Sequence, residues 1–237
     1  MDTQIVVVFC LCDDMLKALH HHEDAQCQMT DAEVMTTAIV AMLYFQGNFR
    51  LASQYLCEHG YIPNMLSRSR FNRRLHRIAD LFLSLFLRLG EHWKQLNERS
   101  VYVIDSYPIV VCDNYRIPRS KIYHGEDFRG YIPSKKRYFY GLRIHIMVTE
   151  QGEPVEFFLA PGAFSDTSAL SRYQFDVPEQ SWITGDRAYN NYAMEDLMRE
   201  AGVELLPLRK KNSLRPVPSY MTYMQHAIRK IVETTGS

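Results

Sequence analysis

Two aspartates close apolar runs that read as β-strands: Asp105 in "SVYVIDSYPIVV" (residues 100–111) and Asp186 in "SWITGD". An ionised carboxylate beside a buried strand costs several kcal/mol unless a partner offsets its charge. A metal ion is one such partner. The alternative is a strand that stops at Asp105, with the carboxylate capping a turn. A third acid, Glu233 in "RKIVETT", sits on a helix-like stretch. It completes a three-carboxylate set, or else forms a weak surface pair with Arg229 four residues earlier. An all-oxygen donor set suits Mg²⁺ or Mn²⁺ rather than zinc. Two such ions, about 3.5–4 Å apart, clamp an in-line phosphoryl displacement. Asp166 in "SDTSAL" fits as a supporting carboxylate beside the metals, and a helix N-cap explains it equally well.

A phosphodiester substrate also needs cations. The net charge is zero, with 27 Lys and Arg against 27 Asp and Glu, but the charges are segregated. Residues 1–60 hold eight acids against Lys17 and Arg50, whereas residues 116–145 hold eight basic residues against Glu126 and Asp127. Between them, "SRSRFNRRLHR" carries five arginines and no acid. Segregation of this kind points to a local polyanion site, against the plainer reading of a solvated charged face. Arg70, Arg73 and Arg74 are the candidate DNA contacts of the arginine-rich stretch. Lys121, Arg129, Lys135, Lys136 and Arg137, interleaved with Tyr123, Tyr131 and Tyr138, suggest phosphate contacts and stacking platforms. Arg209, Lys210 and Lys211 in "LRKKNSLRP" add a third group.

The elements that must position these residues fall into two regions. Residues 1–98 read as helical, and Thr30 followed by Glu33 forms a capping-box pattern at the head of "TDAEVMTTAIVAMLYFQ". A shorter helix follows Gly47-Asn48, then a long helical stretch with its arginines in the leading half. This suits a small DNA-binding bundle of helix-turn-helix type. Residues 99–237 turn α/β in character. "VYVID" reads as a strand, "DNYRIPRSKIYHGEDFRGYIPSKK" as a long basic loop, and "RYFYGLRIHIMVT" with "VEFFLAPG" as a hairpin. "SWITGD", "YNNYAMEDLMREAG", "VELLPLRK" and "YMTYMQHAIRKIVETT" continue as strand, helix, strand and helix. That succession matches a ribonuclease-H-like fold, a mixed sheet with flanking helices whose first and fourth strands lie side by side. Asp105 and Asp186 then face one another. Within "RYFYGLRIHIMVT", the alternation places Tyr138, Tyr140, Leu142, Ile144, Ile146 and Val148 on one face, and His145 reads as a packed core histidine.

Other classes are disfavoured. No apolar run approaches the roughly 20 residues that span a bilayer. Five scattered cysteines form no C-x-x-C pair, which fits a reduced, cytoplasmic protein.

At these residues the chain resembles the DDE transposases of bacterial insertion sequences, specifically the insertion-sequence-982 group. The matching stretches are "IDSYPIVVCDNYRI", "KIYHGEDFRGYIPSKKRYFYGLRIHIMVTEQGEPVEF", "APGAFSDTSAL", "GDRAYNNY", "LRKKNSLRP" and "RKIVETT". The resemblance implies that Asp105, Asp186 and Glu233 are the metal-binding catalytic triad for two Mg²⁺ or Mn²⁺ ions. It further implies cleavage of transposon ends, joining of their 3′ hydroxyls to target DNA, a homodimer in the synaptic complex, and a place on the nucleoid. Family members continue past the third acid with an apolar run, whereas "VETT" here is followed by "GS". The expectation is therefore a catalytic domain cut short after Glu233, weak in strand transfer, or an inactive DNA-binding remnant.

Overall fold

The computed structural model describes residues 1–113, 116, 119, 121–123 and 125–235, and the side chains of these except at 113, 134, 233 and 235. The chain forms two compact units, Met1–Arg88 and Leu89–Ser237.

The first unit is helical. α1 (Asp2–Ala18), α2 (Asp31–Phe45), α3 (Phe49–Glu58) and α4 (Arg68–Arg77) are followed by α5 (Ala79–Leu96), which runs on into the second unit. α2 starts where the capping box requires: the Glu33 N–H donates to Thr30 Oγ1 at 3.1 Å, and the Thr30 N–H donates to Glu33 Oε2 at 2.7 Å. α2 is the central helix, packed on α1, α3 and α4. Val34, Met35, Val40 and Ala41 are buried there, with Leu56 of α3 and Phe71 of α4 buried alongside.

The second unit is built on a six-stranded sheet. Its strands are β1 (Val101–Asp113), β2 (Arg129–Ile132), β3 (Arg137–Thr149), β4 (Pro154–Pro161), β5 (Trp182–Gly185) and β6 (Glu204–Leu205). β3 lies antiparallel between β1 and β4, while β5 and β6 run parallel to β1 and to each other on its far side. The order β4–β3–β1–β5–β6, three antiparallel strands and then two parallel ones, is the ribonuclease-H-like arrangement. β2 pairs with residues 137–140 of β3, beyond the stretch that β4 occupies on the same edge.

Helices cover both faces. α6 (Asp166–Leu170) and α7 (Tyr192–Glu200) bring Leu170, Met194 and Met198 onto a core with Tyr102, Ile104, Met147 and Ile183. On the opposite face, α8 (Ser219–Thr235) buries Val232 against Val103 and Val148, with Ile146 and Ile228 alongside. Cover on both sides explains why burial along β3 does not alternate cleanly: Phe139, His145 and Met147 are buried on one face and Val148 on the other.

Three local expectations are corrected. β1 does not stop at Asp105 but continues to Asp113, through Pro108. Beyond Ile104 it has β3 on one side only, and a proline is tolerated where one edge of a strand is unpaired. The basic stretch expected as loop contains β2, whose residues are paired from Arg129↔Tyr140 to Ile132↔Arg137. The strand expected in "VELLPLRK" shortens to two residues, Glu204–Leu205, although the Leu206 and Leu208 N–H groups still donate to the carbonyls of Ile183 and Gly185.

Candidate active site

Ile104 of β1 is in register with Gly185 of β5, so Asp105 and Asp186 stand one step further on at matching places of adjacent parallel strands. Neighbouring strands lie about 4.8 Å apart, close enough for two carboxylates to share one ligand. The Ser106 N–H donates to Asp105 Oδ1 at 2.8 Å, which fixes that side chain against its own backbone. Asp186 caps the short turn Arg187–Tyr189, its Oδ1 accepting from the Ala188 N–H at 2.6 Å. Gly185 has a steric reason: a Cβ there would stand 2.9 Å from the Tyr189 ring and 3.0 Å from Ile104 Cγ2. Its absence lets the Tyr189 ring close over the strand end that carries Asp186.

The site gathers negative charge at a partly dry place. Burial holds the Asp105 carboxyl above the usual carboxylate range, and the like charges of Asp186 and Asp166 push it the same way. The Ser106 N–H and the Arg229 guanidinium oppose that shift without cancelling it. Burial, followed by the fields of Asp166, Asp105 and Asp186, also drives the Tyr189 hydroxyl far above its ordinary range, so it stays protonated.

Asp166 is not the helix cap. Ser165 caps α6 by accepting from the Ser168 N–H, and Asp166 Oδ1 accepts from the Ser106 hydroxyl at 2.8 Å. Ser106 and Asp105 alternate across the strand, so Asp166 approaches from the opposite face of the sheet. Arg143 Nη1 donates to the same Ser106 oxygen at 3.2 Å and stands 3.9 Å from Asp166 Oδ1.

Glu233 lies in α8, and its side chain is outside the described residues. The preceding residue, Val232, is fully buried, and its carbonyl accepts from the Tyr107 hydroxyl at 2.8 Å. Val103, Asp105 and Tyr107 share one face of β1 by alternation, so α8 is seated on the Asp105 side.

His145 is the packed residue expected. It stacks on Phe158 with ring centroids 4.4 Å apart, and its Nδ1 lies 2.9 Å from the Tyr189 hydroxyl. Burial, with help from the Arg143 charge, lowers its pKa to about 4. An unfolded histidine titrates near 6.5, so the unfolded chain binds the extra proton between these values. The stability contributed by neutral His145 is complete above about pH 6.5 and is lost as pH falls toward about 4. Urea unfolding at pH 7 and pH 5 is expected to show a loss of about 2 kcal/mol from this residue. His145→Phe is expected to flatten that part of the profile; an unchanged profile would refute the assignment.

The basic candidates divide. Arg70 and Arg73 are exposed on α4, and Lys121, Lys135, Lys136, Arg137, Lys210 and Lys211 are exposed in the second unit. Arg129 is partly buried, its guanidinium 4.6 Å from the centre of the Tyr138 ring. Arg74 and Arg209 are placed otherwise. Arg74 Nε donates to Asp31 Oδ1 at 2.6 Å and Nη2 to Glu23 Oε2 at 3.2 Å, inside a group that also holds His21. His21, Glu23 and Asp31 have metal-ligand spacing, but Arg74 already answers their charge. Arg209 makes two bonds to the buried carboxylate of Glu195, at 2.5 and 3.0 Å. Both arginines tie segments of the fold together, because each is enclosed with acids distant in the chain.

Residues 95–236, more than half of the chain, match the family model of the transposase DDE domain. The chain belongs to the DDE transposase family. No curated protein sequence matches it. Among solved structures, the DDE chain is similar to the cryo-EM structure of a piggyBac transposase synaptic complex with hairpin DNA, at 14% identity and a TM-score of 0.42. The match covers 92% of this chain and 53% of the other, so this DDE chain spans about half the length of that transposase. No helix among the described residues is long and apolar enough to cross a membrane.

Proposed function

We propose that the protein is a DNA transposase that cleaves transposon ends and joins them to target DNA by metal-dependent phosphoryl transfer, with Asp105, Asp186 and Glu233 as the metal-binding carboxylates. The observation that carries this reading is the register of Ile104 with Gly185, which sets the two aspartates side by side in a chain of the DDE family. The donor set fits a hard divalent cation: carboxylate oxygens only, with Asp105 partly buried beside like charges and in need of compensation. A pair of Mg²⁺ or Mn²⁺ ions held there would supply Lewis-acid stabilisation of the attacking and leaving oxygens. The protein's own part is orientation. The Ser106 N–H fixes the Asp105 carboxylate, the turn after β5 fixes Asp186, and the Tyr107 hydroxyl holds the end of α8 to β1.

Phosphate contacts come from the exposed cations Arg70 and Arg73 of α4, from Lys121, Lys135, Lys136 and Arg137, from Arg129, and from Lys210 and Lys211. The reading is tested by incubating the protein and Mg²⁺ with DNA that carries the inverted repeats flanking its gene. Nicked or joined ends, absent in EDTA, are the expected products, and intact DNA under both conditions refutes the proposal.

A narrower test concerns binding alone. Each phosphate contact contributes about 0.9 to the slope of log affinity against log salt. Lys135→Gln with Lys136→Gln is therefore expected to flatten that slope by up to roughly 1.8. No change in slope would remove these lysines from the DNA interface.

A further inference from the structure

We propose that the outer face of the β2–β3 ribbon is a platform for unpaired nucleotides, on which bases of a single-stranded DNA segment stack against Tyr131 and Tyr138. The inference rests on the DNA-processing reading above and names the form of DNA that this part of the chain takes.

The two tyrosines are register partners across the ribbon, with ring centroids 4.9 Å apart and planes inclined by 50°. They remain 42% and 46% exposed although the strands that carry them are fully paired to each other. Their presentation is rigid because the other face of the ribbon is anchored. Phe139 is wholly buried there, and a Cβ on Gly130 would come within 2.4 Å of its ring and 2.5 Å of the Gly162 carbonyl oxygen. The ribbon therefore lies flat on the protein through Gly130 and Phe139 and turns Tyr131 and Tyr138 to solvent.

Cations surround the rings. The Arg129 guanidinium lies over Tyr138, steadied by an ion pair of 3.3 Å to Glu126. Lys135 and Lys136 are exposed in the turn that joins the strands. Exposed ring faces beside cations match the needs of a single strand, whose bases have free π-faces and whose phosphates follow the chain. A duplex offers its base edges in the grooves and covers the faces by stacking, so it has little use for two ring planes. The platform is separate from the carboxylates. Asp105 pairs with Ile146, and Tyr138 lies eight residues earlier on β3, a distance along the strand of about 26 Å. A strand reaching from the reacting phosphodiester to the tyrosines must cross that span.

The plain alternative is a cross-strand aromatic pair that serves only to hold the ribbon together. Binding to two probes separates the readings: a blunt duplex, and the same duplex with a single-stranded tail. Tyr131→Ala and Tyr138→Ala are each expected to weaken binding of the tailed probe at least about fivefold. Binding of the blunt probe is expected to stay within about twofold of the parent. Tyr131→Phe and Tyr138→Phe, which keep the ring, should retain tail binding. 2-Aminopurine in the tail should be quenched by the parent and by the Phe variants, and left bright by the Ala variants. Equal weakening on both probes, or no weakening on either, overturns the platform while leaving the DNA reading intact. Failure of the parent to bind either probe overturns both.

Discussion

Asp105→Ala and Asp186→Ala are each expected to lower metal-dependent cleavage and strand transfer by several orders of magnitude, with DNA affinity close to that of the parent. The two carboxylates occupy matched positions on adjacent strands, so under the proposed function the loss of either dismantles the same ligand set. Groups that act as a unit are not additive, and the double variant should be hardly slower than either single one. Stability supplies an independent check. The Asp105 carboxyl is held above its usual range by burial and neighbouring acids, so its removal relieves repulsion in metal-free protein. In EDTA the Asp105→Ala protein is therefore expected to melt at or above the parent temperature. Mn²⁺ should raise the melting temperature of the parent, because a ligand that binds only the folded state stabilises it by mass action. The variant should show no such rise. Cleavage near the parent rate in Asp105→Ala would end the assignment of this site.

The largest expected effect on folding comes from Glu195. Its carboxylate has no solvent exposure and lies between two guanidinium groups, Arg209 at 2.5 Å and Arg215 at 3.3 Å. Arg215 also makes two bonds of 2.8 Å to Asp196, and Arg209 Nη1 donates to the side chain of Asn190 at 3.2 Å. Removing one member of a buried charge group leaves the others without compensation, typically at a cost of about 3–5 kcal/mol. Glu195→Ala should therefore shift the urea midpoint strongly downward, whereas Asp196→Ala, at a half-exposed position, should cost about 1 kcal/mol or less. Similar midpoints for the two variants would show that the arginines find other partners. Asn190 donates to the carbonyls of Arg187 and Leu208, so the Glu195 group also braces the turn that begins at Asp186. A partial loss of cleavage in the Glu195 variant, at temperatures where it is still folded, is the corollary.

Local chemistry made some of this legible in the sequence. The Thr30–Glu33 capping box needs only residues three apart, and it forms as written. The two aspartates, Asp105 within β1 and Asp186 just after β5, could be matched because the succession of strands and helices leaves few topologies, and the strand order follows it. What stayed hidden depended on partners distant in the chain. Arg74 stands among arginines and looks like a phosphate contact, but it bonds to Asp31, 43 positions away. Arg209 sits beside Lys210 and Lys211, yet it turns inward to Glu195. Charge density announces a cation without saying which anion it meets. β2 was concealed for a different reason: its four residues are flanked by turn-forming glycines and prolines, and its pairing is supplied by the far end of β3.

The bond from the Tyr107 hydroxyl to the Val232 carbonyl has a bearing on how this fold tolerates change. Tyr107 is two residues from Asp105 on the same strand, so the terminal turn of α8 is gauged directly from the strand bearing the first aspartate. A slip of the helix by one turn, about 5.4 Å, would break this bond and lift Val232 out of its socket between Val103 and Val148. The spacing of the helix end from Asp105 is thus set locally, by this bond and by the packing of Val232. A change of length in the connection from β6 to α8 is expected to spare that alignment where it leaves Arg209 and Arg215, both bound to Glu195, in place.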